Sequence, residues 1–179
     1  MRNMKKLLVT GVHGFLGWNI CQKAKREWEI FGTAFSHHGE IAGVSITKVD
    51  LRDFDALKRI FHEIHPDAVI HAAAKSDPNF CQTHRAESQA INVDASINID
   101  GLCAYYGIPC FFTSTDLVFN GLNAPYREGD TVCPVNFYGE QKVLAEQGMV
   151  KCHPVIAICR MSLMFGISGP DAKSFIQPM

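Results

Sequence analysis

Tyr138 and Lys142 stand four residues apart in the run Asn136-Phe137-Tyr138-Gly139-Glu140-Gln141-Lys142. Four residues are one helical turn, so a phenol and an ammonium share a face. A phenol at its reference pKa of about 10 is a poor acid or base at neutral pH. An ammonium one turn away, together with a cationic nicotinamide ring, stabilises the phenolate. That brings the group towards the range in which it exchanges a proton with a hydroxyl or carbonyl oxygen. Thr115, at the end of an apolar run, offers a hydroxyl to the same oxygen, and Lys142 is also suited to hold ribose hydroxyls. The three residues describe hydride transfer at a carbonyl carbon, with Tyr138 handling the proton. Alone, a Y-x-x-x-K spacing is better explained by an exposed helical pair, so the chemistry depends on what lies upstream.

Upstream lies Lys5 to Trp18, KKLLVTGVHGFLGW. Leu7, Leu8 and Val9 form a short apolar run, Gly11, Gly14 and Gly17 follow, and Trp18 to Ala24 reads as a helix. A buried strand, a glycine turn and a helix make a phosphate cradle. The turn admits a pyrophosphate close to the backbone, and the helix N-terminus offers unpaired N–H groups and partial positive charge. The spacing G-x-x-G-x-x-G is one residue longer than the G-x-G-x-x-G dinucleotide fingerprint.

The remaining elements must bring these two stretches to one edge. Ile30–Phe35 reads as a second strand, and the residue ending it meets the adenosine ribose in dinucleotide folds. Here the end is Ser36-His37-His38, with no acid to bond a free 2′-hydroxyl or repel a 2′-phosphate, which tilts the cofactor towards NADP(H) over NAD(H). Ser45–Val49 is a third strand. Asp50 after it is placed either to bond the adenine amino group or to cap a helix beginning near Asp53. Phe54, Leu57, Ile60, Phe61 and Ile64 keep helical spacing, and Pro66 ends that helix. Ala68–Ala74 is a fourth strand running into small residues that let a ligand lie close, with His71 as a packed strand residue. Lys75–Thr83 reads as a rim loop. His84–Tyr106 reads as mostly helical, with Ala90, Ile91, Val93, Asp94, Ile97 and Leu102 packed under the sheet and Gly107 as its stop. Ile108–Thr113 is a fifth strand delivering Ser114, Thr115 and Asp116, Leu117–Val135 a long functional loop, Asn136–Val150 a helix, and Val155–Ile158 a sixth strand. Arg160–Gly166 leaves it towards the site. Alternating strands and helices predict an α/β Rossmann fold, a doubly wound parallel sheet of strand order 3-2-1-4-5-6.

At 179 residues the chain suffices for one domain and is short for two. Lys plus Arg number 17 and Asp plus Glu 18, a net charge of −1, which is no electrostatic footprint for nucleic acid or an anionic membrane. No stretch approaches the roughly 20 apolar residues of a membrane span. The seven cysteines are odd in number with no C-x-x-C pair, and are expected as buried free thiols in a reducing compartment, the cytoplasm. His62 and His65 lie three apart with no completing cluster, so no metal is expected.

TGVHGFLG, HAAAKSDP, INVDAS, STDLVFNG, PYREGD and NFYGEQK together resemble the extended short-chain dehydrogenase/reductases, and among them the dTDP-4-dehydrorhamnose reductase group of sugar-nucleotide reductases. The resemblance runs from Lys5 to Gly166. It implies Thr115, Tyr138 and Lys142 as the catalytic trio and Gly11, Gly14 and Gly17 at the pyrophosphate. Asp50, Leu51, Ala72, Ala73, Ala74 and Lys75 would line the adenosine and ribose path. With His13, Phe15, Leu16, Ser36, His37 and Thr113, and with Tyr138 and Lys142 themselves, they complete the expected cofactor set. Ser76, Asp116, Val118, Phe119 and Asn136 are expected on the nucleotide-sugar side. Related dehydratases follow the catalytic Thr with Asp-Glu, whereas Asp116 precedes Leu117 here, which disfavours water elimination. Related epimerases more often read Ser-Ser-x-x-Val-Tyr-Gly, where this chain has Phe119-Asn120-Gly121. The stretch Ser88 to Ser96, SQAINVDAS, and PYREGD equally resemble a branch that binds NADP and serves as the regulatory subunit of methionine adenosyltransferase. Members of the group run on well past this length. Residues 1–166 are therefore expected as the NAD(P)-binding domain and 167–179 as the start of a largely missing substrate region. The surface left bare would favour a homodimer or a protein partner.

Overall fold

A computed structural model describes residues 4–36 and 39–172. The strands are β1 Lys5–Thr10, β2 Trp28–Ala34, β3 Val44–Lys48, β4 Ala68–His71, β5 Cys110–Thr115 and β6 Ala157–Met161. All neighbours are parallel, in the expected order β3-β2-β1-β4-β5-β6. The helices are α1 Phe15–Ala24, α2 Phe54–Ile64, α3 Pro78–Thr83, α4 Arg85–Gln89, α5 Ala95–Tyr106 and α6 Phe137–Cys152. No helix among the described residues is long and apolar enough to cross a membrane.

Alternation along β1 feeds two cores, because successive side chains leave a strand on opposite faces. Leu8 joins Val69, Phe112, Leu57, Ile60, Phe61, Ile99, Leu102 and Met149 on the side covered by α2, α5 and α6. Leu7 and Val9 join Val12, Cys21, Ile30 and Ile41 on the α1 side. The apolar stripe of α2 is as the spacing predicts except at Phe54, which sits in the first turn and is exposed.

Two segments depart from expectation. The rim loop contains α3, because Pro78 supplies a preset φ at the first turn and Asp77 Oδ1 accepts the N–H groups of Asn79 and Phe80. The long helix is broken into α4, one π turn at Ala90–Asp94, and α5. Asp94, expected under the sheet, is exposed. The buried positions of this stretch include a polar stripe, Ser88, Asn92, Ser96 and Asp100, each fully enclosed. The cysteines divide: Cys21, Cys81, Cys103 and Cys110 are buried as expected, but Cys133 and Cys152 are exposed because they lie in a loop and at a helix end.

Ile99, in α5 against the sheet, has no exposed surface. Ile99→Ala should lower unfolding free energy by about 2–5 kcal/mol in urea titrations, whereas Tyr105→Ala on the exposed face should stay within about 0.5 kcal/mol.

Candidate functional site

β1 ends in Thr10, and the chain turns at once through Gly11, whose φ is +72°. A Cβ there would lie 2.8 Å from Ala73 Cα, so glycine is required by both conformation and the next strand's backbone. Gly11 and Val12 donate their N–H groups to Thr33 O, and Gly14 N donates to Gly11 O at 2.9 Å. α1 begins after Gly14 with no side chain capping it, so its first amides point outward unpaired by any cap. Gly17 packs on the Gly11 carbonyl, where any side chain would collide.

Thr10 Oγ1 accepts the N–H groups of both Ala72 and Ala73 at 3.1 Å. Its one proton must then go to His71 Nδ1, 2.7 Å away, which makes that nitrogen an acceptor. His71 is therefore the Nε2–H tautomer and donates to Ser96 Oγ at 2.9 Å, which donates to Asn92 O. Burial pulls the His71 pKa down to about 3, consistent with a neutral ring. The strand residue anticipated as mere packing is thus the clamp between the β1 and β4 ends.

The result is a cleft of about 450 Å³, in the range of small-molecule sites. Of the expected cofactor residues, Gly11, His13, Gly14, Phe15, Ser36, Asp50, Leu51, Ala72, Ala73, Ala74 and Lys75 line it. Leu16 and Gly17 lie in α1 beside it rather than in its wall. His37 falls outside the described residues. Asp50 does not cap α2; Asp53 does, accepting from Ala56 N. Asp50 instead holds the Arg52 guanidinium, which keeps its carboxyl below the usual range. The uncapped N-terminus of α1, small residues at Ala72–Ala74 and a cleft along the strand ends fit a dinucleotide.

Tyr138 and Lys142 are both buried in α6, and Lys142 Nζ lies 5.9 Å from the Tyr138 ring centre. Lys142 Nζ donates to Thr113 O at 2.8 Å and sits 4.4 Å from the Phe112 ring centre. Thr113 therefore seats the lysine, while its own hydroxyl donates to His71 O. Burial draws the Lys142 pKa down to about 7, against an opposing pull from the Glu146 carboxylate. The Tyr138 phenol is not lowered as the spacing suggested; burial pushes it up to about 12. Desolvation dominates and a Coulombic push from Cys81 adds to it, while one Lys142 N–H is directed at the Thr113 carbonyl.

Thr115 Oγ1 accepts from Leu117 N and donates to Asp116 Oδ1. Among the residues expected on the sugar side, Ser76 and Asp116 are exposed, Phe119 is nearly buried and Val118 is fully buried. Asn136 Oδ1 accepts from Gly139 N, which caps α6.

Four features escaped the sequence reading. Asn92 exchanges two hydrogen bonds with the Lys75 backbone and donates to Gln141 Oε1, and Gln141 donates to Ser88 Oγ. This ties the cleft rim to α6. Glu146 accepts from Ser114 Oγ and from both Nε and Nη2 of Arg160, tying β5, β6 and α6 together. Arg52 lines the cleft beside Phe35 and Asp50. Asp171 pairs with His13 at 3.1 Å, so residues 167–172 return over α1. Polar residues inside an apolar helical run were the available signal for the first two.

The profile of the RmlD substrate binding domain matches residues 4–179. The chain belongs to that family. Methionine adenosyltransferase 2 subunit beta of Pongo abelii is 31% identical over 163 residues, 90% of this chain and 48% of that protein. The hypothetical dTDP-4-dehydrorhamnose reductase of Sulfolobus tokodaii is similar with a TM-score of 0.83 at 30% identity, covering 92% of this chain and 58% of that one. The Bordetella bronchiseptica enzyme WbmG, in complex with NAD, is similar with a TM-score of 0.78 at 25% identity, covering 89% and 54%. The chain spans about half the length of the curated relatives it matches.

In this RmlD-family chain Lys142 is neutral more readily in the folded state than in the unfolded one. Between pH 7 and 10 the unfolded chain holds the extra proton, so stability should rise with pH there, with a slope approaching about 1.4 kcal/mol per pH unit. Lys142→Met should flatten that slope in urea titrations across the same window, and an unchanged slope would exclude Lys142 as its source.

Proposed function

We propose that the cleft binds a nicotinamide dinucleotide, NADP(H) in preference to NAD(H), and that the protein reduces the 4-keto group of a nucleotide sugar. The observation that carries this reading is the pair Tyr138 and Lys142, buried together on α6, with Thr113 of β5 seating the lysine and β5 ending in Thr115. A bound nicotinamide would supply the hydride. Tyr138 gives the proton to the substrate oxygen, and Thr115 turns its one hydroxyl proton from Asp116 Oδ1 to that oxygen. Lys142 exchanges the Thr113 carbonyl for ribose hydroxyls, and its charge, reinforced by the oxidised ring, draws the phenol down from about 12. Ser76, Asp116, Phe119 and Asn136 are assigned to the sugar side, as the positions flanking this edge. The same reading places the protein in the cytoplasm, with substrate contacts completed by a further segment or a partner.

A second reading is favoured by the likeness to methionine adenosyltransferase 2 subunit beta. In it the chain binds the dinucleotide and acts as a regulatory subunit without turnover. Nucleotide-sugar epimerisation is a third reading, in which cofactor is not consumed in proportion to product.

The readings separate in one set of assays. NADPH should raise the melting temperature, because a ligand of the folded state alone must stabilise it. NADPH oxidation with a dTDP-4-keto sugar should fall by about 100-fold or more in Tyr138→Phe while the melting shift persists. Binding without any turnover favours the subunit reading. No melting shift with either dinucleotide contradicts both.

A further inference from the structure

Residues 167–172 follow β6 and cross back over α1 and the glycine turn. Asn19 Nδ2, on α1, donates to Ile167 O at 3.0 Å. Gly169 is buried against the Trp18 indole, where an added Cβ would lie 2.6 Å from the ring. Ala172 N donates to Gly169 O at 3.2 Å, which closes a turn through Pro170 and Asp171. That turn delivers a carboxylate to the cleft. Asp171 Oδ2 lies 3.1 Å from Nδ1 of the buried His13, and a Cβ on Gly39 would lie 2.7 Å from the same oxygen. Asp171 and Ala172 line the cleft together with Gly11, His13, Gly14 and Phe15. This is the end at which α1 begins. α1 has no side-chain cap and no acid in its first turn, so the positive end of its dipole is left to an anion from elsewhere. Of the three acids lining the cleft, Asp50 holds Arg52, Glu87 lies near the same guanidinium, and Asp171 stands at the cradle.

We propose that residues 167–172 are an autoinhibitory strap: the Asp171 carboxylate takes, beside His13, the place of a dinucleotide's diphosphate bridge, and the dinucleotide enters as the strap is displaced. The inference rests on the dinucleotide reading above and adds a regulation of that site. A diphosphate bridge is itself anionic, so it and the carboxylate compete for one electropositive helix end and repel each other if both are present. The strap is lightly held, by one side-chain hydrogen bond to its backbone, by packing on Trp18 and by an ion pair whose carboxylate is 32% exposed. The cradle does not depend on it. Gly11 and Val12 are fixed by Thr33 O, and Gly14 by Gly11 O, whether or not the strap is in place. Displacement therefore uncovers a cradle that is already formed, and the apparent affinity is lowered only by the fraction of molecules in which the strap is open.

Isothermal titration of the full chain with NADPH and NADH tests this without catalysis. Asp171→Asn removes the charge and keeps the size of the side chain. It should tighten both dinucleotides by about tenfold, as expected for a strap open in about one molecule in ten. Both should gain alike, because the diphosphate bridge is common to them. Asn19→Ala releases the Ile167 carbonyl at the other end of the strap and should tighten both by about threefold. Neither residue belongs to either core, and the two variants act at opposite ends of the strap, so a local disturbance at His13 cannot account for a gain in both. In the unmodified chain NADPH should also quicken hydrogen–deuterium exchange across residues 167–172. Tighter binding in both variants supports the strap, and so does binding by the variants when the unmodified chain binds neither dinucleotide. Unchanged or weaker binding by Asp171→Asn overturns the strap and leaves the dinucleotide reading standing. Binding by none of the three proteins overturns that reading, and the strap with it.

Discussion

The hydroxyl of Thr10 holds the site together. It receives two backbone amides from the chain leaving β4 and gives its proton to His71, which passes a hydrogen bond to Ser96 and so to α5. One side chain therefore sets how closely the end of β1 approaches the end of β4. That distance decides whether Gly11 lies against Ala73, and the gap between Gly11–Gly14 and Ala72–Lys75 is the cleft. The side chains of Thr10, His71 and Ser96 are buried, so each lost partner there would leave a desolvated polar group at a cost of about 1–3 kcal/mol. The same enclosure holds His71 neutral, and a proton forced onto it would leave Thr10 without an acceptor.

A second buried polar system supports the chemistry from below. Ser88, Asn92, Ser96 and Asp100 recur every four residues through α4, the π turn and α5, and each meets a partner from another element. Each member makes at least one such bond, although Asp100 Oδ2 makes none, and polar pairing of this kind specifies register in a way that apolar contacts do not. Asn92 fixes the Lys75 rim to α6 through Gln141, one residue before Lys142. Lys142 is the costly member. Its ammonium has one carbonyl partner within a nearly dry site, and folding holds it there against desolvation. Stability given up at a position that ligand binding would repay is the usual signature of a functional site.

Strand order, the glycine turn and most cleft-lining residues were legible in the sequence because they follow from local rules: period-two burial, glycine where a Cβ collides, and small residues where a ligand lies close. The partners of Asp50 and His71 were not legible. Asp50 had two plausible uses and His71 was read as packing, and their actual partners lie two and sixty-one positions away. The upward shift of the Tyr138 phenol was not legible for a related reason. Sequence spacing shows which charge is near, but the depth of burial decides whether that charge or desolvation prevails. The return of Asp171 to His13 has no local sequence signal.

Under the proposed function, Gly11–Gly17 and Ala72–Lys75 form one dinucleotide-binding edge. Hydrogen–deuterium exchange of the chain with and without NADPH tests it most directly. The account predicts slowed exchange in both segments together, with the outer face of α2 and α5 unchanged. Protection confined to that outer face, or no protection anywhere, would contradict it.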